Sequence, residues 1–494
     1  MSRRVGLAAL LLCVVAASGC AHYPPNTQLT APSGKSGYRF PQMVAERPDP
    51  ADELFVCLSF SGGGTRAAAF AHGALLRLRE IDIGRGGAPR SLLDEVDCIA
   101  GISGGAFTAA YYGLFGKAGL DTFYDRFLKR NIHVELALRV ANPVNLVRLA
   151  SPYFSRIDLA AELYDETVFE GRTFASLPPR PFVILHATSM ANGAPFEFTQ
   201  AEFDFIGSDL GTFPVARAVA ASSAFPFLLS PVSLRSFPPP AGYTVPDDVT
   251  DGLEERELNP GRYYWARQHL DLMNPRPKGP DDAAAEKWVH LLDGGLADNI
   301  GLRSILRAYD RTSGFVRPRI SAGHVKRFVV VAINGRTDPP EQLSRRERPP
   351  GLVDVFLKTA TVSMETVSFD TIEQALRRQT EREQAQTDIR KCNEALARCG
   401  ASPMPELAQE IRTCFVHIDF EGLPSPMREE LLSYPTTFSL KPEQLKRLGE
   451  AARTLLDTSE GFQRRCGRSA ASPGWERASA ARRRTARDGQ DVRR

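Results

Sequence analysis

Ser103 lies in the run Gly101-Ile102-Ser103-Gly104-Gly105, directly after the apolar stretch Val96-Asp97-Cys98-Ile99-Ala100. A serine hydroxyl is a weak nucleophile until a tight strand-to-helix turn presents it to a base and to N–H donors. Gly101 and Gly105, two residues either side, let such a turn close against a sheet and a helix. Ala106 to Leu114, rich in Ala, Tyr and Leu, reads as that helix. Taken alone, the pattern is equally that of an ordinary glycine-rich turn.

A second stretch, Ser61-Gly62-Gly63-Gly64-Thr65-Arg66, follows the strand-like Leu54–Phe60 and precedes a helical period over Ala67–Glu80. A glycine-rich turn at a helix N-terminus offers backbone N–H groups and a positive dipole end to an anion. That anion is either a nucleotide phosphate or the oxyanion of an acyl-transfer intermediate. Ala67 stands where a dinucleotide fingerprint has its last glycine, and the Gly-Lys-Ser/Thr ending of a P-loop is missing, so the nucleotide reading is the weaker. Arg66 either positions a phosphate head group or pairs with an acidic neighbour. Third comes Asp293-Gly294-Gly295, after the strand-like Val289–Leu292. An aspartate at a strand end, with glycines giving clearance, can approach a serine hydroxyl. His290 is the rival base. It lies three residues from Asp293 and so points to the opposite face of an extended strand.

In this order the three motifs resemble the patatin-like phospholipase family, which carries a glycine-rich oxyanion loop, a Gly-x-Ser-x-Gly elbow and an Asp-Gly-Gly/Ala. The stretches Ala187-Thr188-Ser189 and Ala220-Ala221-Ser222-Ser223-Ala224-Phe225-Pro226 look alike too. The resemblance runs over about 54–333 and more weakly to about 457. It implies a three-layer α/β/α fold with a mainly parallel central sheet and a Ser–Asp dyad. Ser103 would be the nucleophile and Asp293 the base. Gly62, Gly63 and Gly64 would line the oxyanion hole with Arg66 alongside, and Gly101, Gly105, Gly294 and Gly295 would shape the turns. It implies no metal and no cofactor.

Composition agrees with a folded enzyme: 494 residues, 43% hydrophobic and 24% charged. The strand–helix alternation over 54–333 favours one large α/β domain, expected to span 53–335 and to be completed by 336–463. The net charge of +3 is concentrated at the ends. Residues 467–494 hold 8 arginines against 3 acidic groups, and Arg3 and Arg4 add two more positive charges. The body is therefore net acidic, which argues against nucleic acid as a partner. The tail, 464–494, lacks apolar periodicity and reads as disordered.

At the other end, Ser2-Arg3-Arg4 precedes an apolar run, Val5–Ala17, too short to span a bilayer. Ala17-Ser18-Gly19-Cys20 then looks like a lipobox, which makes 1–19 a lipoprotein signal peptide and Cys20 the lipidated residue. A plain secretory signal is the alternative. Ala21 is not the aspartate associated with inner-membrane retention, so the outer membrane is the expected address. Residues 20–52, with many Pro, Ser, Thr and Asn, read as a tether.

Cys57 and Cys98 fall in apolar strands and read as buried thiols. Cys392, Cys399, Cys414 and Cys466 crowd the C-terminal third, where an oxidising compartment permits disulfides; the spacing gives no zinc signature and chooses no pairing. Leu120–Phe169 is largely helical, and its apolar residues, Leu138, Val144 and Leu146 among them, suit either a pocket wall or core packing. Residues 236–287, rich in Pro, Asp and Gly, look inserted. Their Tyr263-Tyr264-Trp265 suits either a lid touching lipid or a surface excursion packed on itself. A charged helix or helical hairpin is expected over Leu352–Leu396, a strand over Cys414–Phe420 and an amphipathic helix over Phe438–Leu456.

These readings converge on an envelope-anchored serine hydrolase of lipid esters, with phospholipid or lysophospholipid as substrate. A carboxylesterase or thioesterase for small acyl substrates is the second reading. A non-catalytic acyl-binding lipoprotein is the third.

Overall fold

The computed structural model describes residues 21–34, 36–40, 54–83, 90–275, 286–310, 316, 319, 325–338, 347, 349–402 and 412–466. The signal peptide, Cys20 and residues 467–494 of the tail lie outside them. The main elements, in chain order, are β1 (Leu54–Phe60), α1 (Gly64–Glu80), β2 (Val96–Gly101), α2 (Gly104–Phe123), α3 (Ile132–Ala141), α4 (Pro143–Leu149) and α5 (Arg156–Tyr164). Then come β3 (Phe182–Ser189), β4 (Pro195–Glu197), α6 (Val215–Ser222), β5 (Val232–Ser236), α7 (Asp247–Glu254), α8 (Pro260–Leu270) and β6 (Lys287–Asp293). The chain ends with α9 (Leu302–Asp310), β7 (Arg327–Ile333), α10 (Leu352–Arg398), β8 (Arg412–Ile418) and α11 (Pro442–Thr458).

The strands form one sheet in the order β5-β6-β3-β2-β1-β7-β8, with β4 added on β3. From β3 to β8 the pairing is parallel; β6 runs antiparallel to β3, and β5 antiparallel to β6. Every residue of β1, β2 and β3 is buried. Their near-continuous apolar runs belong to parallel strands with helices on both faces, whereas β5 and β6 alternate between buried and wetter positions. The result is a mostly parallel central sheet flanked by helices. From β1 the order grows through β2 and β3 on one side and through β7 and β8 on the other. In such sheets the crevice at the carboxyl ends of the strands, where the order reverses, is the natural site.

β8 extends the same sheet and α11 packs on α1, where Arg77 of α1 reaches Asp457 of α11 at 2.6 Å. The 47 residues of α10 form a single helix rather than a hairpin.

On three points the structure corrects an expectation or bears on an open alternative. Residues 21–40 are not free tether: Asn26 is buried and bonds Ser208 and the Arg235 carbonyl, while Tyr38 and Phe40 join the core. The insertion 236–287 packs on itself and on the domain: His269 of α8 meets Glu202 at 3.0 Å, and the Ser236 hydroxyl bonds the Leu272 carbonyl. It leaves β5 opposite Lys287, six residues along β6 from Asp293, roughly 20 Å at strand rise.

The third correction concerns cysteine. Cys57 and Cys98 are partners across β1 and β2 and form a disulfide, with Cα atoms 4.6 Å apart. Burial was legible from their neighbours, but pairing depends on strand register. Cys414 is also disulfide-bonded, while Cys392 and Cys399 lie exposed around the end of α10. The Cys57–Cys98 link spans 41 residues, a loop whose closure constrains the unfolded chain by about 4 kcal/mol in the chain-entropy model. Replacing both cysteines with alanine is expected to lower the unfolding free energy by about 2–4 kcal/mol, read from urea denaturation of the two proteins. An unchanged midpoint would mean that the cross-link contributes nothing.

Candidate active site

Ser103 sits between β2 and α2 with φ 48° and ψ −115°. A non-glycine residue in that region stores about 1–3 kcal/mol of backbone strain and persists only where its surroundings hold it. The holders are visible. The Ser103 N–H donates to the Ser222 hydroxyl at 2.9 Å. Gly104 lies so close to the glycine loop that a Cβ there would stand 2.0 Å from the Gly64 carbonyl oxygen. A Cβ on Gly105 would meet the Phe60 and Ser61 carbonyls, and one on Gly101 would meet Ala109 and Ala106. The glycines around Ser103 thus allow the elbow to be pressed against the end of β1 and against its own helix.

Asp293 ends β6 and is buried. Its Oδ2 accepts the Ser103 hydroxyl at 3.0 Å and its Oδ1 accepts the Gly295 N–H at 2.8 Å. The backbone is held as well. Asp293 N–H donates to the Ala224 carbonyl, Gly294 N–H to the Ser222 carbonyl, and the Thr188 hydroxyl to the Asp293 carbonyl. Both stretches noted beside the motifs, 187–189 and 220–226, are therefore clamps around Asp293 and Ser103. Burial pushes the Asp293 carboxyl up to about 7, against the smaller opposing pull of the Gly295 N–H and the Ser103 hydroxyl. His290 is on the exposed side of β6, where its Nδ1 meets Ser233. His186 is buried on β3, and its Nε2 meets Ser304.

The glycine loop caps α1. Gly62 faces the elbow, since a Cβ there would be 3.4 Å from the Ser103 Cβ. Its N–H, however, donates to the Asn299 carbonyl at 2.9 Å. Among the described residues, the N–H groups of Gly63 and Gly64 have no acceptor. Of the three amides expected to line an oxyanion hole, that of Gly62 is thus bound to the segment that follows Asp293. Gly64 has φ 61° and packs on the Thr437 carbonyl, which also accepts the Thr65 N–H.

Among the described residues, Arg66 pairs with no acidic neighbour. It is buried, giving Nε to the Gly335 carbonyl and Nη1 to the Tyr434 carbonyl, while Nη2 lies beside Gly63. Burial lowers its pKa to about 10, still a cation at neutral pH. It anchors the loop from below and sets a positive charge under Gly63. Arg66 therefore does not reach outward for a head group.

Asn299 carried no signal in the sequence beyond its place after Asp293. Its buried Oδ1 has no hydrogen-bond partner among the described residues. It fills the space between the loop and the aspartate turn: a Cβ on Gly62 or Gly295 would stand 2.3 or 2.8 Å from it. Met364 of α10 presses on Gly295 from the other side. Among the described residues no group of His, Cys, Asp and Glu has metal-binding spacing, and no helix is long and apolar enough to cross a membrane.

Comparison with known proteins gives the same outline. No curated protein matches the sequence. Among solved structures, human GIVD cytosolic phospholipase A2 matches at 14% identity and TM-score 0.41, over 85% of this chain and 61% of that one. The same enzyme in complex with methyl gamma-linolenyl fluorophosphonate matches at 15% identity and TM-score 0.38, over 87% and 62%. VipD from Legionella pneumophila matches at 12% identity and TM-score 0.29, over 84% and 67%. This chain thus spans about three fifths of the phospholipase A2 chains it resembles. The family profile of patatin-like phospholipase covers residues 58–306, half of the sequence and all three glycine motifs. The chain belongs to the patatin-like phospholipase family of lipid acyl hydrolases.

Proposed function

We propose that the protein is a phospholipase A or lysophospholipase that cleaves lipid esters through an acyl-enzyme on Ser103. One observation carries this reading: a strained, buried serine hydroxyl bonded at 3.0 Å to a desolvated carboxylate, beside a helix N-terminus with two unclaimed N–H groups. The Ser103 Oγ attacks the ester carbonyl while its proton passes to Asp293 Oδ2. The carbonyl electrons move onto the oxygen, where Gly63 and Gly64 donate and the Arg66 charge lies behind them. Collapse breaks the ester bond, and the Asp293 proton leaves with the alcohol. Water then attacks the acyl carbon and gives a proton to Asp293; collapse breaks the bond to Ser103 Oγ, Asp293 returns the proton to that oxygen, and the fatty acid leaves. Ser103→Ala is expected to keep its melting temperature, to lose at least a thousandfold in ester turnover, and to resist a fluorophosphonate probe. His290→Ala should retain most activity. Labelling of the alanine variant would place the nucleophile elsewhere.

Asp293 accepts a proton only when ionised. kcat/KM should therefore fall about tenfold per pH unit below a midpoint near 7 and level off above it. The same group has a stability signature. Its folded pKa is raised, so its contribution is favourable below the unfolded value and is lost as pH rises through about 7. A rise from 3.8 to about 7 corresponds to on the order of 4 kcal/mol of cost above pH 7. Asp293→Asn should abolish turnover yet raise the melting temperature at pH 8 relative to wild type, with the gain shrinking toward pH 4. Scanning calorimetry across that range reads it, and a gain independent of pH would refute the desolvated-carboxylate account.

The setting proposed is the bacterial envelope, with the protein held by acyl chains on Cys20, the outer membrane preferred to the inner. Two disulfide-bonded cysteines on adjacent buried strands suit an oxidising compartment. Cys20→Ser should leave the detergent-extracted membrane fraction or accumulate as an uncleaved precursor. Processing and fractionation like wild type would refute the anchor.

A further inference from the structure

Beyond Ile132 and Leu136, which pack on the core, helices α3 and α4 carry apolar residues turned to the surface. Only Ile132 of α3 is buried, and no residue of α4 is. Leu138 is 66% exposed, Val144 68%, Leu146 53%, and Tyr153 just beyond them 55%. Phe227 is 55% exposed and meets Phe356 of α10 edge-on at 4.3 Å. Large apolar side chains gathered in this way on a monomer mark an interaction site.

Their attachment to the rest of the fold tells which. Each segment bearing them leads back to one of the three motifs. At the start of α3, the Ile132 N–H bonds the Phe438 carbonyl, and the His133 ring meets the Phe438 N–H; the neighbouring Thr437 carbonyl packs on Gly64. Phe227 closes the segment whose Ser222 hydroxyl holds the Ser103 N–H. Phe356 stands two turns, about 12 Å, before Met364, which presses on Gly295 beside Asp293. Arg156, which opens α5 just beyond Tyr153, donates to the Phe227 carbonyl and ties the sides together. The apolar residues therefore rim the end of the sheet where Ser103 lies.

Residues 21–23 reach the same rim. The Ser151 hydroxyl donates to the Ala21 carbonyl at 2.5 Å, the Tyr23 N–H to the Tyr153 carbonyl at 2.9 Å, and His22 stacks on Tyr153. Cys20 is one peptide bond from Ala21. The two arginines of α3 and α4 are spent on Glu166 and Glu162, so apolar insertion rather than head-group charge supplies the attraction.

The geometry points to a membrane-docking face built from α3, α4, Tyr153, Phe227 and Phe356, which seats on the lipid surface and delivers substrate to Ser103, with Ala21 bound at its edge. This rests on the lipid-acting, Cys20-anchored reading above. Such a face inserts into zwitterionic bilayers and is insensitive to salt.

The full lipidated protein, reconstituted in phosphatidylcholine vesicles carrying a diazirine-bearing phospholipid, tests it. Photolabels mapped by mass spectrometry should fall on residues 134–153 and 227, and stay there in 0.5 M NaCl. In the Leu138→Glu/Leu146→Glu variant, the ratio of vesicle phospholipid hydrolysis to hydrolysis of a monomeric p-nitrophenyl ester should fall at least tenfold. Labels confined elsewhere, or an unchanged ratio, would overturn the proposal. So would a detergent-free dimer that the variant dissociates, because a second copy would then cover the face. Labels on 134–153 in a protein without phospholipid activity would sustain the docking face while refuting the substrate reading.

Discussion

The buried hydrogen bond between Ser103 and Asp293 is the constraint around which the rest of the site is arranged. A carboxylate withdrawn from water is costly unless hydrogen-bonded, and among the described residues Asp293 has two donors, one of them the serine it is proposed to deprotonate. An ordinary aspartate, with a pKa near 3.9, is a poor base for a hydroxyl. Burial narrows that gap by raising Asp293 to about 7. The remaining mismatch falls to the oxyanion donors, which must be fixed before the reaction begins.

That requirement explains why backbone is packed against backbone on every side of Ser103. The Gly64 carbonyl fills the space a Gly104 side chain would need. The Gly62 amide is fastened to Asn299, and Arg66 ties α1 to Gly335 and Tyr434. Each contact joins the loop to a different part of the chain: the elbow, the aspartate turn, the end of β7 and the segment before α11. The loop that would bind the oxyanion therefore depends on residues beyond 430 as much as on its own glycines. Gly335, Tyr434 and Thr437 thus bear directly on the loop's position.

The sequence was most legible where local chemistry decides structure. Gly101 and Gly105 around a serine after an apolar run suggested the elbow, and the strand–helix alternation over 54–333 suggested an α/β domain. Legibility ended where the answer lay in register or in distant partners. Cys57 and Cys98 look like any buried thiols until β1 and β2 are aligned. Nothing near Gly62 tells that its amide goes to residue 299, and nothing near Arg66 names two carbonyls some 270 and 370 residues away. The polar, proline-rich 21–40 looked like a tether because its partners, Ser208, Arg235 and Val183, come from far along the chain. In α3 and α4 the apolar pattern was read correctly as pattern, but periodicity does not tell a face turned to a core from one turned outward.

The disulfide that the sequence did not disclose bears directly on the chemistry. Cys57 and Cys98 join the two strands whose carboxyl ends carry the glycine loop and the elbow, and the paired register continues from them to Phe60 and Gly101. A one-residue slip between β1 and β2 would carry Gly63 and Gly64 away from Ser103 by about 3.3 Å, enough to place both amides out of hydrogen-bond reach of a tetrahedral oxygen. The strained Ser103 backbone and the desolvated Asp293 both pull against the native arrangement. A covalent tie a few residues upstream of them resists that pull without occupying the site itself. The fold thus separates two tasks along the same pair of strands: cross-linking at their centre and the proposed catalysis at their ends.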